Sequence, residues 1–127
     1  MLTFATRLIA GGHDGVLSCH EDQALSHAYV YANAPADVPG ELARALCRRA
    51  GEFFPLHPDG VVDGANVKDG IVLNQTDSSF ESWLLKNGAA QTYCTETPGQ
   101  HDFDKRVSAN AAMIALFIGQ DRTLHVT

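Results

Sequence analysis

The stretch that most constrains this chain is Val16-Leu17-Ser18-Cys19-His20-Glu21-Asp22, where a short apolar run breaks abruptly into an imidazole followed by two carboxylates. Gly15 to Cys19 is too short for a helix and too apolar for a half-exposed strand, so it predicts a buried, parallel strand. A strand that delivers its last side chains to one edge of a sheet fixes their position and leaves them open to ligand. His20 therefore reads either as a surface turn after a strand or as one arm of a site.

The rest of the chain supplies the layers. Leu2 to Gly12 carries Phe4, Leu8 and Ile9 at helical spacing and ends in Gly11-Gly12, which predicts a helix that opens with almost no cap. Ala28-Tyr29-Val30-Tyr31-Ala32 alternates ring and small side chain, predicting a strand whose tyrosines share one face. Asp37 and Pro39 signal a helix start, and Leu42, Ala45, Leu46, Ala50 and Phe53 form its apolar face, with Arg44, Arg48 and Arg49 largely opposite. Pro55 to Gly70 reads as a long loop in which Asp59 and Asp63 are turn residues, since the ligand pattern of a calcium loop is absent.

Ile71-Val72-Leu73 predicts a further strand, and Ser78-Ser79-Phe80-Glu81 a capping box opening a helix that buries Phe80, Trp83 and Leu84 and stops at Gly88. Gln91 to Thr95 predicts a strand ending on Glu96-Thr97-Pro98-Gly99. Asp102 and Asp104 place negative charge at the start of a last helix, with Phe103, Val107, Ala111, Ile114 and Ile118 as an apolar stripe closed by Gly119. Residues after Asp121 read as a tail. The order is helix, strand, strand, helix, strand, helix, strand, helix: an α/β plan with a layered, mixed or mostly parallel sheet and flanking helices.

With 127 residues the chain fits a single domain spanning 1–127. Nine Lys and Arg against fifteen Asp and Glu leave a net charge of -6, so no basic surface is available to track a phosphate backbone. Nucleic acid is thereby excluded as an expected partner. No run of apolar residues reaches membrane-spanning length, and Met1 to Ala10 lacks a small-residue cleavage pattern, which places the chain in the cytoplasm. Cys19, Cys47 and Cys94 are unrelated in spacing and read as reduced, buried and inert.

His20 and Glu96 share one design, each sitting where a strand ends. Side chains at the carboxyl ends of strands in an open α/β sheet converge on one crevice, so the two predict a common site, against the alternative that Glu96 is a surface carboxylate. Cys19 and His20 do not form a thiol–imidazole dyad, because successive strand residues point to opposite faces. His13, His27, His57, His101 and His125 lie in polar, loop-like surroundings without ligand spacing. No H-x-x-E, H-x-x-x-H or H-x-H pair exists, and one histidine alone is not a zinc site.

The segments Leu17-Ser18-Cys19-His20-Glu21-Asp22, Phe80-Glu81-Ser82-Trp83, Tyr93-Cys94-Thr95-Glu96-Thr97-Pro98 and Lys105-Arg106-Val107, in this order and spacing, resemble the second half of the zinc carboxypeptidase family. Within it they are most similar to a bacterial branch near the succinylglutamate desuccinylase and aspartoacylase enzymes. The resemblance implies zinc as cofactor, His20 as a zinc ligand and Glu96 as the catalytic glutamate that takes a proton from water and hands it to the departing amine. It places Val72 to Ser79 at the specificity wall, with Asp77 or Glu81 as substrate-facing candidates, capping of its own helix being the first reading of Glu81. Glu21 and Asp22 are then groups that support the ligand or face the substrate, not metal ligands.

The resemblance also has departures. Val72 to Asp77 contains no tyrosine, which leaves the family's tyrosine-assisted step without its residue. The H-x-x-E pair and the carboxylate-binding arginines belong to a half that these residues do not include. The expectation is therefore the C-terminal half of a metallocarboxypeptidase-like hydrolase acting on peptides or acyl-amino acids. It would work with the missing half, a second copy or a complementing chain. The alternatives are an amide deacylase of the desuccinylase and aspartoacylase type, and a non-catalytic α/β module.

Overall fold

The computed structural model describes residues 15–33, 38–75, 86 and 91–126. The predicted helix at Leu2 to Gly12 and the capping-box helix with Asp77 and Glu81 lie outside the described residues.

The elements run β1 (Gly15–Asp22), β2 (Tyr29–Asn33), α1 (Glu41–Gly51), β3 (Gly60–Val62), β4 (Ala65–Val67), β5 (Ile71–Leu73), β6 (Gln91–Pro98) and α2 (Phe103–Val126). Among the described residues four strands form a mixed sheet in the order β1-β6-β2-β5, as the α/β reading expects. β6 lies between β1, to which it is parallel, and β2, to which it is antiparallel, while β2 and β5 are parallel. Thr97 Oγ1 donates to the His20 carbonyl at 3.2 Å, adding a side-chain tie to the β1–β6 ladder.

Strand alternation assigns each face its partners. Leu17, Val30, Ala32, Ile71 and Tyr93 meet Ala43, Leu46, Cys47 and Ala50 of α1 and Ala109 and Met113 of α2 in one core. On the opposite face Tyr29, Tyr31 and Val72 pack with Val62, Ala65 and Val67. The two tyrosines share that face, their rings 5.4 Å apart. Small side chains on α1 let it seat closely, and Glu41 in its first turn with Arg48 and Arg49 in its last complement the helix dipole.

Several sequence expectations are corrected. Both site strands run further than expected: β1 continues through His20 to Asp22, and β6 through Glu96 to Pro98. Among the described strands β1 lies at the edge of the sheet, partly exposed rather than buried. The Pro55–Gly70 loop contains the β3–β4 hairpin, closed by Asp63 and Gly64 with φ of 48° and 76°. Those positive angles match the right-handed twist of the paired strands, which is why an Asp-Gly turn suits them.

α2 passes through Gly119 to Val126, so neither the helix stop nor the tail after Asp121 is observed. One glycine costs a helix interior only about 1 kcal/mol. The stripe expected to be buried faces outward: Phe103, Val107, Ile114 and Ile118 are 65%, 51%, 42% and 47% exposed, while Ala109 and Met113 are buried. Cys19 is exposed, not buried, whereas Cys47 and Cys94 are buried. No described helix is long and apolar enough to cross a membrane.

Candidate metal centre

The site begins with strand register. His20 and Glu96 are Cα partners across the parallel β1–β6 pair, and Cys94 lies two residues before Glu96. A spacing of two puts Cys94 and Glu96 on one face, and partners in register share a face, so all three project to the same side. Tyr29 and Tyr31 of β2 are the antiparallel partners of Glu96 and Cys94 and flank them from the other edge.

His20 Nδ1 stands 3.6 Å from Glu96 Oε1, with the imidazole 49% exposed and the carboxylate side chain 11%. The Cys94 thiol donates to Glu96 Oε1 at 3.7 Å. The donor atoms of His20, Cys94 and Glu96 all lie within 4.8 Å of one another, the only such His/Cys/Asp/Glu trio among the described residues. Imidazole, thiolate and carboxylate are the donor types that a zinc-type ion accepts, so the set fits a metal chemically.

Burial pushes the Glu96 carboxyl above the usual carboxylate range; His20 and the Cys94 hydrogen bond oppose this, and the charges of Asp22 and Asp63 add to it. A carboxyl raised this way is a better proton acceptor at Oε1 than a free one. Tyr29 is pushed upward chiefly by burial and next by Glu96, and so remains a neutral phenol.

The other sequence candidates fall in different places. Asp22 shares the His20 face and is held there: Oδ2 accepts from Tyr29 O–H at 3.2 Å and Oδ1 from the Ala24 N–H at 3.0 Å. Glu21 points the opposite way and pairs with Arg106 of α2. His27, His57 and His101 are not in the trio; their ring nitrogens meet Ser26 Oγ, the Pro58 carbonyl and the Ser26 carbonyl respectively. Cys94 is the member that sequence reasoning missed, although its period-two relation to Glu96 was visible once the strand was recognised.

No protein-family model matches the chain, and no curated protein matches it. Solved structures do. A chain from Shewanella baltica OS155 superimposes with a TM-score of 0.89 at 44% identity, over 94% of this chain and 44% of its own. Chains from Shewanella amazonensis SB2B and Shewanella denitrificans OS217 give TM-scores of 0.89 and 0.88 at 40% and 43% identity, each over 94% of this chain and 45% of theirs. All three are named "putative metallopeptidase". The present chain thus has a metallopeptidase-like α/β fold and spans less than half the length of the solved chains it matches.

Proposed function

We propose that these residues form part of a zinc-dependent peptidase centre, with His20 as a metal ligand and Glu96 as the acid–base group. The observation that carries this reading is the 3.6 Å approach of His20 Nδ1 to a largely buried Glu96 carboxylate at the open end of two parallel strands. The names of the similar Shewanella proteins point the same way. When bound, zinc would polarise a scissile carbonyl and acidify water. The chain's own part follows from its atoms. His20 offers a ring nitrogen, Glu96 Oε1 accepts the proton of the attacking water, and the same oxygen returns it to the departing amine.

The finer reading is removal of a C-terminal amino acid from a peptide. Release of an acyl group from an amino acid is the alternative within the same chemistry. Assays against C-terminal peptides and acyl-amino acids separate the two. Glu96→Gln tests the shared core of both: zinc retained with undiminished hydrolysis would refute it.

A second reading, of a module working with a complementing chain or a second copy, is favoured by a different observation. β1 is an edge strand of the described sheet, and α2 exposes Phe103, Val107, Ile114 and Ile118 along one side. An open edge beside an apolar helix face favours association. Sedimentation of the chain alone, and with candidate partners, tests it; a monomer that binds zinc and turns over substrate by itself would exclude it.

A further inference from the structure

Building on the reading that His20 binds metal, we propose that Cys94 is a metal ligand, so that His20, Cys94 and Glu96 make a three-donor site for a zinc-type divalent ion within this chain.

Two of the three donor separations are close to those such an ion sets. Tetrahedral zinc, with nitrogen and oxygen at about 2.0–2.1 Å and sulfur at about 2.3 Å, holds its donors roughly 3.3–3.6 Å apart. Glu96 Oε1 lies 3.6 Å from His20 Nδ1 and 3.7 Å from Cys94 Sγ. The remaining edge, from His20 to Cys94, is within 4.8 Å.

Placement also separates Cys94 from an ordinary packing cysteine. Cys47 is buried in the helix-side core against the backbone, its thiol 3.3 Å from the Asp69 carbonyl. Cys94 instead points to the site face, its register partners being Ser18 on one side and Tyr31 on the other. A thiol there has a carboxylate for company and an imidazole within reach of the same ion.

The donors differ in how firmly they hold. Thiolate and imidazole suit a zinc-type ion better than carboxylate does, so His20 and Cys94 would be the firmer holders and Glu96 the weaker. Glu96 Oε1 would accept the proton of water only while it is not itself bound to the ion, which its weaker hold allows. Binding costs Cys94 its thiol proton, which passes to solvent as the sulfur–metal bond forms.

Cobalt(II) added to the metal-free 127-residue chain reads the ligands directly, without any activity assay. The expected result is uptake of about one equivalent with a near-ultraviolet thiolate-to-cobalt charge-transfer band. The band disappears in Cys94→Ser and persists in Cys19→Ser and Cys47→Ser, and Cys94→Ser weakens zinc by more than the ~10–100-fold typical of losing a group behind a ligand. On the unmodified chain, zinc protects Cys94 from alkylation, a measurement that needs no variant to fold. His20-dependent cobalt binding without the band, or a band that survives Cys94→Ser, overturns the thiolate ligand and leaves the reading of His20 intact. Failure of the folded chain to take up cobalt or zinc overturns the three-donor site, and Glu96→Gln hydrolysis then decides the peptidase reading separately.

Discussion

His20 and Glu96 are partners in parallel register, at the third position from the end of β1 and of β6, and their side chains meet at 3.6 Å. Neighbouring parallel strands bring equivalent positions to the same edge, so residues far apart in sequence are held together by the stiffest part of the fold. The imidazole is half exposed and the carboxylate largely buried, so the ring is open to solvent while burial raises the proton affinity of the carboxyl.

If His20 is a ligand, zinc stabilises the folded chain by mass action, by about 2.7 kcal/mol at a hundredfold excess over Kd. His20→Ala abolishes this gain while leaving the metal-free melting temperature nearly unchanged, because the imidazole is half exposed. Thermal melts with and without zinc or a chelator provide the check.

The outward turn of α2 predicts unequal costs for adjacent residues. Met113→Ala, in a fully buried position, costs about 2–5 kcal/mol, whereas Ile114→Lys, in an exposed one, changes stability by about 0.5 kcal/mol or less. Urea denaturation measures both. Equal costs would mean that Ile114 is buried in the folded chain.

Gly70 has a φ of 78°, and a Cβ built there would lie 2.6 Å from Cys47 Sγ. Gly70→Ala is expected to destabilise by roughly 1–3 kcal/mol through strain and overlap together. Adding Cys47→Ala removes the overlap but not the strain, so the double variant costs less than the sum of the singles in a double-mutant cycle.

Burial pushes the Cys47 thiol up to about 11. Its folded value is raised, so its contribution to stability is complete below the unfolded cysteine value of about 8.5 and is lost as pH climbs towards 11. Because only the thiolate reacts, Cys47 resists alkylation at neutral pH and yields as the solution becomes alkaline, while exposed Cys19 reacts first. Mass spectrometry of timed alkylation follows each site.

The α/β plan was legible because β1, β2, α1 and β6 each carry a strong period or apolar run. The β3–β4 hairpin was not: Pro58, Gly60 and Gly64 resemble loop punctuation, and three-residue strands are too short to show alternation. For α2 the helix itself was clear but its buried side was not, since Ala109 to Ile118 is apolar on nearly every face apart from Asn110. Ala109, Met113 and Phe117 fit the helical period as well as the exposed set does. His20 and Glu96 stood out as polar residues at the ends of strand-like runs. Cys94 did not, because an odd number of unrelated cysteines draws attention to pairing rather than to which face of a strand each occupies.

In the proposed centre Glu96 acts on protons beside a metal held by His20. The most direct test of that role is Glu96→Gln in the protein that shows hydrolysis, alone or with its complement, with bound zinc and turnover measured on the same samples. The prediction is zinc still present, if more weakly held, and turnover reduced by roughly 10²–10⁴-fold. Zinc present with undiminished turnover would contradict it.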